Sequence, residues 1–384
     1  MPLLSRRFDG HNRCASVVSS TFCHARPTVA RRGEPKTMRA ALRFIVFTCR
    51  DPRTDFRGPL VDALRRRGHE VHCIWLKRRP LVSGPAVGDP AVQMSLASCL
   101  RYLRRVTTAR DRTNIYFNTT NLLYPILILA LKAICATGVW CFDMHDDLLY
   151  SLRGVARLRA RMNQALLLTA FDLMVHAAPT LKELFPASHH LGNASSLGPL
   201  KRDAPQFDKV LILASIDERM DFAFFDAVAA RCPDVDFAVY GQVSRTVEAA
   251  MQALRKARPN VHYHGTYIMA DLEPILARHA VMFAPYRTDA RVTRYLDPLR
   301  YYHALNSGME IITTSIPQAE AYADRLHIVR TSEDVAHILD GLQTDERVRR
   351  NAGGGPPITW DLRAAQLVEI LMGARCTRAL IART

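Results

Sequence analysis

The alternation of strand and helix patterns is the feature that most constrains how this chain can fold. From residue 43 onward, short apolar runs rich in β-branched and aromatic residues alternate with longer amphipathic segments. This alternation is typical of parallel sheets that are covered by helices. It is interrupted in a stretch rich in Ser, Gly, Pro and charged residues, 196–209, whose composition is that of an interdomain linker. The sequence therefore predicts two α/β halves.

The pattern also predicts domain boundaries. We expect an N-terminal domain over 38–195, a linker over 196–209, a C-terminal domain over 210–358 and a final helical segment over 359–384. Residues 1–37 carry no sustained apolar period, and Met38 directly precedes the first strand pattern. We therefore expect 1–37 to be disordered or a non-native extension; the Arg and Ser enrichment also fits an organelle transit segment.

Composition narrows the functional classes. Of 384 residues, 48% are hydrophobic and 23% charged, which is typical of a globular protein. The net charge of +16 attracts phosphate-bearing partners, namely nucleotides, nucleic acids or anionic membranes. The cysteines form no Cys-x-x-Cys pair, so we expect reduced thiols and neither a disulfide framework nor a zinc site. A nucleic-acid-binding protein is disfavoured, since no helix-turn-helix or RNA-binding signature is present.

A cluster of carboxylates follows the strand pattern VWCF. Asp143, His145, Asp146 and Asp147 come at the carboxyl end of a parallel strand, where open α/β sheets bind ligands. Carboxylates this close raise one another's pKa, which makes one of them usable as a general base near neutral pH. We predict that Asp146 has this role. Two alternatives remain: a metal site formed by Asp143, His145 and Asp147, and N-capping of the next helix by Asp146 or Asp147.

The segment 282–308, MFAPYRTDARVTRYLDPLRYYHALNSG, predicts a strand, a polar loop and a helix. Asp297 fits the N-cap of that helix and Pro298 its first position, while Gly308 ends it. Arg300 falls in the first turn, where the free N–H groups already carry positive potential. A bound phosphate would reverse this unfavourable arrangement. The alternative is a solvated surface arginine.

The segment 121–138, NLLYPILILALKAICATG, is apolar nearly all round. Pro125, Lys132 and the length of the apolar run argue against a membrane span. Two interpretations are open: a buried helix on the sheet, or a helix with one face in a bilayer surface, assisted by Arg101, Arg104 and Arg105.

Several landmarks occur in a fixed order in the C-terminal half: PDVDFAVYG, PNVHYHG, a strand ending in APY, DPLRYYHALNSG followed by EIITTSIPQ, and finally TWDLRAAQLVEIL. Together they resemble the GT-B class of nucleotide-sugar glycosyltransferases. That resemblance implies an α/β fold of two Rossmann-like domains facing across a cleft, with a C-terminal helix that returns to the N-terminal domain. The loop around Asp51 and Arg53 and the segment FDMHDDLL are similar to the membrane-associated bacterial glucuronosyltransferases of xanthan assembly.

The resemblance also implies residue roles. Asp146 would be the catalytic base that deprotonates the acceptor hydroxyl. Arg300 stands where the family has a Lys on the donor diphosphate, and Leu299 where it has a Met, so the donor itself is open. The implied donor-binding residues are Arg300, Tyr286, Leu299, Pro298, Gly265, Thr266, Tyr267 and Gly241, although Gly241 also fits a tight turn. The implied acceptor-binding residues are Asp51, Arg53, Asp143 and Asp147.

The glutamate-x7-glutamate pattern of the large retaining family is absent around His303. The resemblance therefore implies an inverting transfer with no metal and no cofactor, from a UDP-linked donor of glucuronic acid or a hexose. The expected acceptor is lipid-linked or a glycan, in bacterial polysaccharide or glycoconjugate synthesis. We expect a cytoplasmic protein bound peripherally to the inner face of the cell membrane, with no nucleic-acid partner. The alternative is a catalytically inactive membrane-surface or nucleotide-binding scaffold on the same fold.

Overall fold

A computed structural model of the chain describes residues 42–48, 57–75, 91–93, 96–107, 112–119, 125–135, 137–147, 149, 152–201, 206–289, 291–345, 348–350 and 356–381. The expectations for residues 1–37, Asp51 and Arg53 lie outside the described residues.

The N-terminal half is built on a parallel sheet. In the described part of the chain this sheet has seven strands, in the order β3-β2-β1-β4-β5-β6-β7. Their bounds are β1 (Leu42–Thr48), β2 (Glu70–Trp75), β3 (Ala91–Gln93), β4 (Thr113–Thr119), β5 (Val139–Met144), β6 (Leu173–His176) and β7 (His189–His190). The helices are α1 (Gly58–Arg66), α2 (Leu96–Thr107), α3 (Pro125–Ile134) and α4 (Gly154–Ala170), with a 3-10 helix over Pro179–Glu183.

The C-terminal half repeats this plan with a second parallel sheet, in which the described residues form six strands in the order β10-β9-β8-β11-β12-β13. Its strands are β8 (Lys209–Leu213), β9 (Asp236–Tyr240), β10 (Val261–Gly265), β11 (Val281–Ala284), β12 (Glu310–Thr314) and β13 (His327–Val329). Its helices are α5 (Phe222–Arg231), α6 (Glu248–Ala257), α7 (Met269–Ala277), α8 (Arg291–Arg294), α9 (Leu299–Asn306), α10 (Pro317–Glu320) and α11 (Ser332–Thr344); α12 (Trp360–Ile381) ends the chain's described part.

The central strands are buried and largely apolar because helices cover both faces of each sheet. Every residue of β1 is buried, and its side chains alternate between two clusters, with Phe44 in one and Phe47 in the other. Trp140 of β5 stacks on Tyr116 at 4.3 Å between ring centroids. Continuous apolar strands of this kind are the signature of buried parallel sheets.

The strand order fixes where a ligand can bind. In each sheet the chain moves first to one side of its initial strand and then to the other, so the order reverses at β1/β4 and at β8/β11. Open parallel sheets bind ligands in the crevice beyond the carboxyl ends of the strands at such a reversal.

The last helix belongs to the N-terminal core, as expected from the sequence. Residues Trp360, Ala364, Leu367 and Leu371 of α12 pack in the same cluster as Phe44 of β1. Just before α12, the carbonyl of Ile358 accepts a hydrogen bond from the Ser195 N–H at 3.0 Å. The chain therefore crosses back from the second half to complete the first.

The apolar segment around α3 has one face on the sheet and one in solvent. Ile128 and Leu131 are fully buried, whereas Ile126 is 77% exposed. Among the described residues, no helix combines the length and the apolar content needed to cross a bilayer.

Candidate functional site

A cleft of about 480 Å³ lies between the two sheets, within the usual size range of small-molecule sites. From the N-terminal half, it is lined by His145, Asp146 and Asn193. From the C-terminal half, it is lined by Leu213, Ala214, Ser215, Arg219, Tyr267, Met269, Tyr286, Leu296, Asp297, Pro298, Leu299, Arg300 and His303. Most of these residues come at or after the carboxyl ends of β5, β8 and β11, where the strand order predicts a ligand; Asn193 follows β7, and Tyr267 and Met269 follow β10.

A buried ion pair underlies the N-terminal wall. Arg57, just before α1, donates to both carboxylate oxygens of Asp143 at the end of β5, at 2.9 and 3.0 Å. Nε2 of His145 lies 2.7 Å from the same carboxylate. Burial alone would raise the pKa of Asp143, but the charges of Arg57 and His145 hold it at about 2. Asp143 is therefore ionised across the physiological pH range.

This ion pair places the next residues at the cleft. Burial and the Arg57 charge lower the pKa of His145, and the Asp143 carboxylate opposes them. The backbone leaving β5 is thus anchored by Asp143 and His145, and Asp146 follows at the cleft wall, partly exposed. A carboxylate in this position is accessible to a hydroxyl group that enters the cleft.

The two other aspartates of the cluster do not line the cleft. Both carboxylate oxygens of Asp143 accept hydrogen bonds from Arg57, and Asp147 forms an ion pair with Arg291 of α8 at 2.8 Å. In the described residues, no three His, Cys, Asp or Glu side chains are grouped so as to hold a metal ion. The geometry gives Asp143 and Asp147 structural partners and does not support contact with an acceptor.

The C-terminal wall presents a cation and a buried hydroxyl. The guanidinium of Arg300 lies over the ring of Tyr286, 4.9 Å from its centroid, and pairs with no carboxylate in the described ranges. The hydroxyl of Tyr286 is buried and has no hydrogen-bond partner there either. Burial raises the pKa of Tyr286, while Arg300 opposes the shift. Both groups are therefore available to an anionic or polar ligand.

Asp297 does not cap the helix, contrary to the expectation from the sequence. The helix α9 begins at Leu299, with no side-chain cap at Pro298. The Asp297 carboxylate instead accepts the N–H of Asn193 and the hydroxyl of Tyr302, both at 2.7 Å. Burial raises the pKa of Asp297 to about 6, and these two hydrogen bonds oppose the shift. A contact between the two halves has replaced local capping.

The remaining donor-side residues fall into two groups. Pro298, Leu299 and Tyr267 line the cleft, whereas Gly265, the last residue of β10, and Thr266 directly precede Tyr267 and do not line it.

Gly241 has a structural reason to be glycine. Its φ is +140°, and a Cβ there would lie 1.5 Å from the carbonyl oxygen of Ala214. This matches the tight-turn alternative, because only glycine permits this approach.

The cleft residues that were not anticipated as site residues include Asn193, Arg219 and His303. Arg219 forms an ion pair with Asp217 on the loop after β8. Its position has no local sequence signal. For His303 the sequence did contain a signal, because this residue follows Arg300 by three positions and therefore shares a helix face with it.

Neither the comparison with protein-family models nor that with curated proteins finds a match. Solved structures do match. A sucrose-phosphate synthase from Thermosynechococcus elongatus is 13% identical over 89% of this chain and 100% of that chain, with a TM-score of 0.57. HepE of Anabaena, in complex with UDP and glucose, is 12% identical over 88% and 99%, with a TM-score of 0.54. An alpha-glucosyltransferase in complex with UDP and DNA is 12% identical over 86% and 95%, with a TM-score of 0.56.

Identities this low establish the fold alone. Together with the two parallel sheets and the returning helix α12, these matches confirm the GT-B fold class expected from the sequence.

Proposed function

We propose that the protein is a glycosyltransferase that takes a sugar from a nucleoside-diphosphate donor. The observation that carries this proposal is one cleft with two complementary walls: Asp146 follows β5 in the first half, and Arg300 lies in the first turn of α9 in the second. Fold by itself does not determine function, but this pairing supplies a base and an anion site together. The complexes of HepE and of the alpha-glucosyltransferase contain UDP, which supports a UDP-linked donor.

In the proposed reaction the donor diphosphate lies at the start of α9. The first N–H groups of this helix, the Arg300 guanidinium and the Tyr286 hydroxyl donate to its oxygens. Asp146 accepts the proton of the acceptor hydroxyl as the new bond to the sugar carbon forms and the bond to the diphosphate breaks. The leaving diphosphate is stabilised by groups already in place, so we propose an inverting, metal-independent transfer without a cofactor.

We also propose that the acceptor is reached at an anionic membrane, on the inner face of the cell membrane. Helix α4 exposes Val155, Leu158, Met162 and Leu166 along one stripe and contains no acidic residue. Arg157, Arg159 and Arg161 lie among them. Apolar and basic side chains on one helix are suited to the headgroup region of anionic lipids. Because α4 follows Asp146 in the chain, a lipid-linked or glycan acceptor fits this side of the cleft.

The test combines UDP binding with sugar transfer. In calorimetry, Arg300→Ala should weaken UDP binding at least about tenfold, because a charge-assisted contact is lost, and Arg300→Lys should restore part of it. Asp146→Asn should leave UDP binding unchanged and lower the single-turnover rate by about a hundredfold or more. The exposed Arg231→Ala and Asp234→Asn are matched controls. Full transfer activity in both site variants would refute the roles.

The same assay separates the alternatives. With UDP-glucose and UDP-glucuronic acid as donors, NMR of the product gives the anomeric configuration, and inversion is expected. Transfer should continue in the presence of EDTA. UDP binding with no consumption of any UDP-sugar would instead favour the inactive scaffold.

A further inference from the structure

His303 occupies an enclosed position on the wall of the cleft. It belongs to α9, one turn after Leu299, and its ring lines the cleft although the residue is almost fully buried. Side chains on a helix lean toward the N-terminal end, so the imidazole covers the turn that contains Arg300. The ring therefore borders the place where the proposed function puts the donor diphosphate.

The partner of the inner ring nitrogen is a single hydroxyl. Nδ1 of His303 lies 2.8 Å from Oγ of Ser195, which is completely buried. The same Oγ already accepts the N–H of Leu197 at 3.0 Å. Within the described residues, Nδ1 is the acceptor within reach of the Ser195 hydroxyl hydrogen. If Nδ1 carried a proton instead, that buried hydroxyl hydrogen would have no acceptor, which is unfavourable.

The contact with Ser195 determines which nitrogen of the His303 ring carries the proton. The Ser195 hydroxyl donates to Nδ1, so a neutral imidazole must carry its proton on Nε2. Burial lowers the pKa of His303 to about 4, so the ring is neutral at physiological pH. Nε2 has no protein partner among the described residues. The side chain is thus a fixed, uncharged donor at the edge of the cleft.

Building on the proposed function, we propose that the Nε2–H of His303 donates a hydrogen bond to a phosphate oxygen of the bound nucleoside diphosphate, with Ser195 as the positioning residue that fixes this tautomer. A neutral donor adds hydrogen-bond directionality beside Arg300 without placing a second charge next to the first turn of α9. The chemistry assigned to the site is therefore a diphosphate held by one cation and by neutral donors.

Two substitutions of His303 separate the contribution of Nδ1 from that of Nε2. His303→Asn keeps a polar atom near Nδ1 and loses the outer nitrogen, whereas His303→Gln places an amide near Nε2. For UDP in calorimetry, we expect His303→Asn to weaken binding about tenfold and His303→Gln to stay within about threefold of the parent. Uridine, which has no phosphate, should bind all three proteins equally. Equal UDP affinity of the parent and His303→Asn would overturn the proposal, as would an equal loss of affinity for uridine.

A measurement without ligand keeps this proposal distinct from the proposed function. Nitrogen-15 NMR of the unliganded protein, with the His303 signal assigned by its loss in His303→Asn, should show a neutral ring protonated at Nε2. Ser195→Ala should give mixed tautomers and weaker UDP binding, and Ser195→Thr, which keeps a hydroxyl, should restore both. Protonation at Nδ1 would overturn the tautomer assignment. If the NMR result holds but the parent protein binds no nucleoside diphosphate, the ligand assignment and the proposed function both fail while the tautomer stands.

Discussion

The ion pair of Arg57 with Asp143 shows how a single residue pair supports the site. The two side chains are 1% and 0% exposed, so each depends on the other to offset the loss of water. Arg57 also lies 5.4 Å from the ring centroid of Trp360 and donates to the Leu191 carbonyl. This one guanidinium thus connects α1, β5, the end of the first half and α12.

We predict that Asp143→Asn lowers the free energy of unfolding by about 3–5 kcal/mol, since Arg57 is left as a buried charge without its counter-ion. Arg57→Met should cost a similar amount, and the double substitution less than the sum. Urea denaturation measures all three. The exposed pair Arg66–Asp361 is the matched control, and its loss should cost less than about 1 kcal/mol. Additive costs at the buried pair would contradict this prediction.

The low pKa of Asp143 predicts that the stability of the protein depends on pH in the acid range. Its pKa is about 2 in the folded protein against a reference of 3.8, so the folded state binds its proton less readily than the unfolded state. The stabilisation is therefore complete above about pH 4 and is lost as the pH falls toward 2. Unfolding midpoints measured between these values should fall more steeply for the parent than for Asp143→Asn.

At the scale of elements, the sequence predicted what depends on local periodicity. The strand that ends in Ala284 and helix α9 are where the pattern put them, whereas the short helix α8 lies in the segment predicted as a polar loop. The predicted N-cap at Asp297 is absent, because its carboxylate oxygens accept hydrogen bonds from the Asn193 N–H and the Tyr302 hydroxyl. Asn193 is 104 residues away in the chain. Helix capping was predicted from local sequence, but the carboxylate binds two buried donors instead, and only the folded molecule brings these donors close to it.

Helix α4 carries the prediction that belongs to an element. Replacing Leu158 and Met162 together by Glu should reduce co-sedimentation with vesicles containing anionic phospholipid by about tenfold, because the stripe loses apolar area and gains repulsion. Leu362→Glu, at an apolar position of α12 that is 53% exposed, is the matched control. Binding by the parent should weaken as salt is raised. Unchanged binding of the double variant would exclude α4 as the contact surface.

For the whole molecule, the two-half architecture was predictable and the joint between the halves was not. Alternating strands and helices, interrupted at 196–209, suffice to indicate two Rossmann-like units. The contacts between the halves include Arg294 with Glu183 at 2.8 Å and Arg291 with Asp147. Each is an ordinary charged residue in sequence. Its partner lies more than a hundred positions away, so no spacing rule identifies it.

The returning helix supplies a prediction at the same scale. Trp360→Ala should lower the free energy of unfolding by about 3–5 kcal/mol, because a cavity opens in the core shared with β1. Calorimetry should show the loss in the transition of the N-terminal half. Leu362→Ala, on the exposed side of the same helix, should change stability by less than about 0.5 kcal/mol. Similar losses for the two variants would contradict this prediction.

The position of α12 also has a consequence for biosynthesis. A ribosome makes the strands of the first sheet early, and N-terminal domains generally fold first during synthesis. Here the core around Phe44 is incomplete until Leu367 and Leu371 have been translated and have left the exit tunnel. The nascent first half must therefore wait with apolar surface uncovered while the entire second half is made. Closure of this core is therefore expected only after the second half has been translated, and until then the first half exposes apolar surface to which chaperones can bind.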